Sequence, residues 1–426
     1  MATYLQRTPS TLGDRTKWTI SMWYKRTSLS NFYLTSCNNS SNYSTFYVTG
    51  GGQLRYYNYW SGAIQHELKT NRLFRDTNAW YHIVMAWDST LATANDRFKF
   101  YVNGVQETSF ATRTNPPQNE GSFFNVAGYN HRVAAEDTTS GGQGLLSHVH
   151  FTDGYAYNAD TFGETDATTG EWKIKTSPSV TYGTNGFFIL KDGNSVTDQS
   201  GNGNNFTVGG GTLTKTEDCP SNVFATINPL VPYSSNLDFH EGNTTVENDG
   251  SSANWTTRWG VSTLGMSSGK FYAEAKVANI GTNQMYALGL AKDVGTFTPT
   301  SSVGANGLAY YSTGNIYNGI SGQDQTGLAS YTTNDIIGLA IDATNGSAQW
   351  YKNGSAIGNA ETIATDGTWF FVTNFYTNGR VNVNYGNGYF GTTAVSSAGT
   401  NASGNGIFEY DVPTGYTALS TKGLNL

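Results

Sequence analysis

The stretch HIVMAWD at residues 82–88 is an apolar run that ends in an aspartate, and FYVNG follows it at residues 100–104. The same order of features returns later, where IIGLAID at residues 336–342 precedes WYKNG at residues 350–354. Asn-Gly after an alternating run is a strong hairpin signal, because a type I′ turn needs positive φ at both central residues. The two copies predict a hairpin in each half of the chain and two similar β-sandwiches in tandem.

Period-two alternation extends the strand prediction outward from these hairpins. In residues 17–25 (KWTISMWYK), the large apolar side chains fall on one face, and mostly polar ones fall on the other. Residues 98–102, 271–277 and 381–385 alternate in the same way. Alternation of this kind is typical of strands with one face in a core.

The composition is that of short strands joined by tight turns. The 426 residues include 50 Gly and 27 Tyr, with 14% aromatic and only 13% charged residues. A disordered chain would need high charge and few aromatics. The sequence therefore predicts an all-β protein made of antiparallel β-sandwiches.

Charge and hydropathy exclude several classes of partner. The net charge is −7, and the chain has no basic cluster, which argues against binding to nucleic acid. Residues 1–7 contain no continuous apolar run, so we expect no secretory signal. No window approaches the roughly 20 apolar residues of a membrane-spanning helix, so we expect no membrane insertion. Cys37 and Cys219 are too few for a disulfide framework and are expected to be free thiols of a protein made in the cytoplasm.

The boundary between the two sandwiches is predicted near residue 218. Pro220, Pro229 and Pro232 follow a glycine run at residues 209–211, and prolines at this density interrupt strand pairing. We expect one sandwich in residues 1–215, an extended surface linker in residues 216–235 and a second sandwich in residues 236–426.

The N-terminal half resembles the concanavalin A-like, laminin-G-like domains encoded by phages, especially marine phages. The segments that carry this resemblance span residues 1–215 in order: 4–10 (YLQRTPS), 18–26 (WTISMWYKR), 148–154 (HVHFTDG), 162–172 (FGETDATTGEW), 182–188 (YGTNGFF) and 198–205 (DQSGNGNN). The resemblance implies a sandwich of the concanavalin-like jelly-roll type.

The C-terminal half resembles a SPRY domain, a related bent β-sandwich. The segments are 268–274 (SGKFYAE), 288–290 (LGL), 335–342 (DIIGLAID), 350–354 (WYKNG), 383–386 (VNYG) and 413–419 (PTGYTAL). SPRY domains are recognition modules without catalytic residues, and their binding loops vary, so no binding residue is carried over.

Together the resemblances imply a bacteriophage virion protein displayed on the particle exterior, as a tail or fibre component or a capsid appendage. Its expected partners are other virion proteins and host-surface saccharides, and we expect a homo-oligomer in the particle. One alternative is a capsid decoration or cement protein without a host ligand. The other is a carbohydrate-active enzyme.

Enzymatic residues are hard to find in the sequence, and we expect no enzyme. Glycoside hydrolysis needs two carboxylates about 5–9.5 Å apart. The nearest approximations are Glu164 with Asp166 and Glu409 with Asp411, all in stretches that favour surface turns. His148 and His150 are two apart, and on a strand they would share one face; this pattern favours a half-buried sheet face over a metal site.

Two further patterns suggest binding. Asp192, Asp198 and Asn202 offer oxygen ligands on a polar loop and form a weak calcium candidate. Asx-turns would account for the same residues without an ion, so no cofactor is predicted. In residues 55–60 (RYYNYW), Tyr57 and Tyr59 fall on one face, and Trp60 falls on the other. Tyr57, Tyr59 and Trp60 are the candidate ligand-binding residues, because such rings stack on sugars, although core packing would use the same aromatics.

Overall fold

The computed structural model describes residues 3–39, 41–175, 177–191, 195–231, 236–250, 253, 255–256, 258–283, 285–294, 307–319 and 325–426. The chain splits into two compact units, Met1–Lys215 and Thr216–Leu426, called unit 1 and unit 2 below. Helices in the described residues are limited to single 3₁₀ turns at Ala94–Asp96, Ala159–Thr161, Glu241–Asn243 and Gly423–Asn425. None of the helices in these ranges is long and apolar enough to cross a membrane.

Unit 1 is an antiparallel β-sandwich. Its strands are β1 (Tyr4–Arg7), β2 (Lys17–Arg26), β3 (Phe32–Asn39), β4 (Asn42–Val48), β5 (Gln53–Trp60), β6 (Ala63–Leu73), β7 (Trp80–Asp88), β8 (Phe98–Val102), β9 (Val105–Gln106), β10 (Phe110–Thr114), β11 (Asn130–Val133), β12 (Gly144–Asp153), β13 (Gly163–Thr165), β14 (Trp172–Ile174), β15 (Phe187–Ile189) and β16 (Thr207–Gly210). One sheet has the order β10-β6-β5-β4-β3-β11-β1-β16, and the other has β15-β12-β2-β7-β8-β9; β13 and β14 form a separate hairpin.

The core of unit 1 lies between these two sheets and is rich in aromatic rings. Trp18 of β2 and Trp87 of β7 stack with ring centroids 5.7 Å apart at its centre. The indole N–H of Trp18 donates to Ser122 Oγ at 2.8 Å, which satisfies the one polar atom of this ring. The face of β2 predicted to be apolar is therefore the core face.

Unit 2 is a second antiparallel sandwich. Its strands are β17 (Asp238–His240), β18 (Thr245–Asn248), β19 (Trp259–Val261), β20 (Lys270–Asn279), β21 (Met285–Lys292), β22 (Gly307–Tyr311), β23 (Asn315–Asn318), β24 (Ile336–Asp342), β25 (Ser347–Lys352), β26 (Ser355–Thr362), β27 (Trp369–Phe375), β28 (Gly379–Asn384), β29 (Tyr389–Phe390), β30 (Thr393–Ala394) and β31 (Thr417–Ala418). The larger sheet has the order β17-β18-β28-β20-β24-β25-β26, with β31 added in parallel to β20; the smaller has β19-β27-β21-β22-β23. The alternating residues Phe271, Ala273, Ala275 and Val277 enter the core between them.

The predicted hairpins are present in both units. Asn103 and Gly104 have φ of 48° and 81°, and Asn353 and Gly354 have 49° and 80°. Each asparagine forms one backbone and one side-chain hydrogen bond with the apolar strand that pairs with its own strand, at His82 of β7 and at Ile336 of β24. The all-β prediction and the two antiparallel sandwiches are confirmed.

The expected linker at residues 216–235 is wrong over its middle part. Phe224, Ala225 and Ile227 are fully buried, and Phe224 and Ile227 form isolated β-bridges to Ser420 and Ser262. Pro220 and Pro229 lack the N–H groups that a continuous ladder needs. The residues between the two prolines can still form single β-bridges. This segment is therefore part of unit 2. Pro232 lies outside the described residues.

Candidate binding surface

Five tyrosines lie together on the outer face of the larger sheet of unit 1. We call this set the tyrosine face: Tyr33 from β3, Tyr43 and Tyr47 from β4, and Tyr57 and Tyr59 from β5. Their neighbours Phe46, Val48 and Tyr56 point into the core, so alternation directs the five tyrosines to the opposite side. The backbone of β4 and β5 thus presents a row of aromatic rings away from the core.

The rings of the tyrosine face pack in a regular pattern. Tyr33 stacks on Tyr47 with centroids 5.1 Å apart, and Tyr43 stacks on Tyr59 at 4.8 Å; each pair is directly opposite in the strand register. Tyr57 lies between the pairs and meets Tyr43 and Tyr47 edge-on at 5.8 and 6.1 Å. These contacts restrict the rings and lower the entropy cost of binding against them.

Arg55 and Glu67 join the face as a neutral pair. The guanidinium of Arg55 donates to Glu67 Oε1 at 2.7 Å and to the Tyr47 hydroxyl at 2.7 Å. It also lies over the ring of Tyr57, 4.9 Å from the centroid. Arg55 therefore fixes two tyrosines through hydrogen-bond and cation–π contacts.

Glu136 reaches the tyrosine face from a distant loop. Its Oε1 accepts hydrogen bonds from the Tyr57 hydroxyl at 2.8 Å and from Thr45 Oγ1 at 2.9 Å. The backbone carbonyl of Glu136 accepts from Ser36, Asn38 and Arg132, which holds the loop on the sheet. A half-buried carboxylate thus lies among the tyrosines.

The hydroxyls of Tyr33, Tyr43 and Tyr57 remain protonated at neutral pH. Burial and the Glu136 carboxylate raise the pKa of Tyr33 to about 12. The same two causes raise the pKa of Tyr43 and of Tyr57. Rings with an apolar body, donor hydroxyls and a nearby acceptor are the chemistry that suits a saccharide.

The predicted site residues are only partly brought together. Tyr57 and Tyr59 lie on the tyrosine face. Trp60 does not, because it packs edge-on against His66 and Phe123 at 5.1 and 5.7 Å. Sequence reasoning missed Tyr33, Tyr43 and Tyr47, although the alternation of Tyr43 and Tyr47 along β4 was a usable signal. Glu136 gave no local signal, because its partner Tyr57 is 79 residues away.

Asp198 and Asn202 of the calcium candidate use their side chains in hydrogen bonds that stabilise their own loop. Asp198 Oδ1 accepts from the backbone N–H of Phe188 and Ser200, and Oδ2 accepts from Ser200 Oγ and the N–H of Asn204, at 2.7–2.9 Å. Asn202 donates its side-chain N–H to the carbonyls of Gly183 and Gly186. These are the Asx-type contacts that need no ion. Asp192 lies outside the described residues.

A buried serine–histidine pair in unit 1 has the wrong protonation for a nucleophile. His82 lies between Ser21 and Trp172, with Nε2 2.9 Å from Ser21 Oγ. The indole of Trp172 can only donate, and it donates to His82 Nδ1 at 3.0 Å. His82 therefore carries its proton on Nε2 and donates to Ser21. Burial lowers the pKa of His82 to about 3, so the ring stays neutral.

The two carboxylate pairs with a spacing near that of glycoside hydrolases form ion pairs and hydrogen bonds within surface turns. Lys173 lies 3.5 Å from Glu164 and 3.2 Å from Asp166, and the backbone N–H groups of Thr169 and Thr168 lower the pKa of Asp166 to about 2. A general acid needs a raised pKa instead. Glu409 and Asp411 accept hydrogen bonds from Ser396 and Thr400 and hold their own loop.

The two histidines of β12 are separated by a bulge. The register with β2 shifts between Ser147 and His150, and His148 has a φ of 49°. His150 is buried, stacks on Phe188 at 3.8 Å and contacts the Tyr182 hydroxyl at 2.9 Å. Within the described ranges, no group of three or more His, Cys, Asp or Glu side chains is arranged to hold a metal ion.

Comparison with known proteins agrees with the fold of unit 1. Residues 2–161 match a laminin-G family model described as the concanavalin A-like lectin/glucanases superfamily. The predicted laminin-G-like half is thus confirmed over these residues, which do not reach into unit 2. No curated protein sequence matches the chain significantly.

Solved structures similar to the chain come from several β-sandwich proteins. The heptameric SAP-like pentraxin of Limulus polyphemus is 15% identical, covering 45% of this chain and 90% of its own, with a TM-score of 0.30. The SPRY domain of human HERC1 is 17% identical over 34% and 91%, with a TM-score of 0.29. Domains LG4-5 of the mouse laminin alpha1 chain are 8% identical over 90% and 85%, with a TM-score of 0.31. At these scores the likenesses carry no argument about function.

Proposed function

We propose that this chain is a non-enzymatic bacteriophage virion protein that is displayed on the particle exterior and binds saccharides through the tyrosine face of unit 1. The observation that carries the binding proposal is the set of five tyrosines on one outer sheet face, with Glu136 among them. The match of residues 2–161 to a superfamily of lectins and glucanases supports a carbohydrate ligand. The assignment to a virion rests on the resemblance of residues 1–215 to phage-encoded laminin-G-like domains, taken together with the SPRY-like second half.

Binding without catalysis fits the chemistry of the candidate residues. Glu164 and Asp166 share Lys173, and Glu409 and Asp411 hold backbone N–H groups. His82 is neutral and donates to Ser21. A protein presented in many copies on a particle needs only weak sites, because simultaneous engagement multiplies affinity.

The experiment measures saccharide binding by the full chain and by two tyrosine variants. A panel of neutral and anionic oligosaccharides is tested by isothermal titration, with reducing ends assayed after incubation. We expect Tyr59→Ala to weaken binding at least about tenfold, a loss of about 1.4 kcal/mol, because Tyr59 and Tyr43 form one stacked pair. Tyr155→Ala is the matched control, because Tyr155 is 41% exposed and lies off the face.

Three results would contradict parts of this proposal. Equal losses in the two variants would remove the tyrosine face as the site. Release of new reducing ends would favour a carbohydrate-active enzyme. Absence of binding to every saccharide, with binding to another virion protein instead, would favour the decoration or cement alternative.

A further inference from the structure

The tyrosine face forms a row rather than a single pocket. Along β4, Tyr43 and Tyr47 are four residues apart, which separates their Cα atoms by about 13 Å. Tyr59 lies beside Tyr43 on β5, and Tyr33 lies beside Tyr47 on β3, so these two residues widen the row. A row of this length exceeds one sugar ring and suits a saccharide chain that lies along β4.

The carboxylate of Glu136 lies over the middle of this row. It accepts hydrogen bonds from Thr45, which is between Tyr43 and Tyr47 on β4, and from Tyr57, which is directly opposite Thr45 on β5. The hydroxyl of Tyr33 on β3 is also hydrogen-bonded to this side chain. Thr45 and Tyr57 both donate to Oε1. A chain along the row therefore passes beside this carboxylate.

The charge of Glu136 is not neutralised by a contacting cation. Glu67 on the same face pairs with Arg55 at 2.7 Å, whereas no Lys, Arg or His nitrogen of the described residues forms an ion pair with Glu136. Arg132 is buried and donates to the Glu136 carbonyl and to Asn38 Oδ1. Arg132 therefore holds the loop through the backbone carbonyl of Glu136 rather than through its carboxylate.

A second acid lies beside Glu136 in the same loop, whereas the nearby guanidinium groups of Arg55 and Arg132 are engaged with Glu67 and with the loop backbone. The loop of residues 134–142 (AAEDTTSGG) contains two acids and no basic residue. Asp137 in this loop caps its own turn through Thr139 and Ser140, and these hydrogen bonds keep the pKa of Asp137 low. Lys69 lies two strands away from Thr45, about 10 Å across the sheet.

We infer that Glu136 selects the charge of the ligand, so that the tyrosine face takes a neutral saccharide chain and rejects sulfated or carboxylated chains. This inference rests on the proposed function. A neutral chain donates hydroxyl hydrogens to the carboxylate and stacks on the tyrosines. An anionic group placed beside Glu136 repels it, because at about 6 Å two like charges interact appreciably even near a protein surface.

The test compares wild type with Glu136→Gln on matched saccharides. Malto-, cello-, chito- and mannohexaose are each paired with their sulfated forms and titrated at low salt. We expect wild type to bind at least one neutral hexaose about tenfold more tightly than its sulfated form. Glutamine keeps an oxygen acceptor for Tyr57 and Thr45 but removes the charge. We therefore expect the affinities of Glu136→Gln for the neutral and the sulfated hexaose to differ by no more than about threefold.

A charge-matched control separates the local effect from net charge. Glu171→Gln removes the same charge from an exposed position between β13 and β14, and it should leave the ratio unchanged. Thermal melting of each variant verifies folding. Preference of wild type for a sulfated chain, or an unchanged ratio in Glu136→Gln, would overturn the inference while leaving saccharide binding intact. Loss of all binding to the panel would instead refute the proposed function, and this inference with it.

Discussion

Burial lowers the pKa of several histidines in unit 1 and raises the pKa of one glutamate in unit 2. In unit 1, burial lowers the pKa of His82 to about 3 and those of His66 and His131 to about 4. In unit 2, burial raises the pKa of Glu274 to about 7, although its carboxylate accepts the backbone N–H groups of Glu409 and Tyr410 at 2.8 and 2.9 Å. Each group disfavours its charged form in the folded state.

These shifts predict opposite pH dependences of stability. Between pH 6.5 and about 4 these three histidines become protonated in the unfolded chain but stay neutral in folded unit 1. Unit 1 therefore loses stability as pH falls, by about 2 kcal/mol for each histidine at pH 5. Between pH 4.5 and about 7 folded unit 2 keeps a proton on Glu274 that the unfolded chain has lost. Unit 2 therefore loses up to about 3 kcal/mol as pH rises through 7.

The free energies of unfolding of unit 1 and unit 2 can be measured by urea unfolding at pH 5 and pH 8. Pulsed hydrogen exchange of peptides from each unit distinguishes the two transitions. We expect unit 1 to be more stable at pH 8, and the Glu274 contribution to make unit 2 more stable at pH 5. In Glu274→Gln, the pH dependence of unit 2 should flatten. A Glu274→Gln variant that keeps the wild-type pH dependence would contradict the assignment.

At the scale of elements, the two Asn-Gly hairpins are each covered by an aromatic residue from later in the same unit. A Cβ added to Gly104 would lie 2.5 Å from the ring of Trp172, and one added to Gly354 would lie 2.6 Å from the ring of Tyr410. Trp172 belongs to the β13–β14 hairpin, which it fastens to the sheet through His82. The turns therefore serve both strand pairing and docking.

Substitution of Gly104 by alanine tests this docking. Gly104→Ala faces both a φ of +81° and the ring of Trp172, so we expect a loss of about 2–5 kcal/mol in the free energy of unfolding. Gly170→Ala is the control, because its φ is +73° but no atom lies within 4 Å of the added Cβ. The control should cost about 1–2 kcal/mol. Equal urea midpoints for the two variants would show that Trp172 does not restrict Gly104.

Local sequence was sufficient for the parts of the fold that depend on local periodicity. Trp18, Ile20 and Met22 alternate into the core as predicted, and Asn103-Gly104 and Asn353-Gly354 form the predicted turns. The segment at residues 224–227 was misread, because its prolines are a local signal and its bridges to Ser262 and Ser420 are long-range.

The candidate site was predictable only where one strand contains it. Tyr57 and Tyr59 follow from alternation along β5. Their relation to Tyr33 depends on the pairing of three strands, and their relation to Glu136 depends on a loop folded back over the sheet. Neither the register nor the loop position is encoded in the neighbouring residues, so both required the structure.

As a whole molecule, the chain contains a laminin-G-like sandwich, which has the half-buried tyrosine face on its outer side, and a second sandwich with its own core. This organisation fits the proposed role in recognition and display, in which unit 1 would supply the saccharide site. The phage resemblance adds the expectation that many copies stand on one particle, where weak individual sites combine into firm attachment.

The most direct test of the proposed virion role is to label purified phage particles with an antibody against the recombinant full chain. We expect label on the particle exterior and expect free protein to block adsorption to host cells, with the Tyr59→Ala variant blocking less well. Label on the capsid with unchanged adsorption would favour the decoration alternative. Absence of label from intact particles would contradict the central claim.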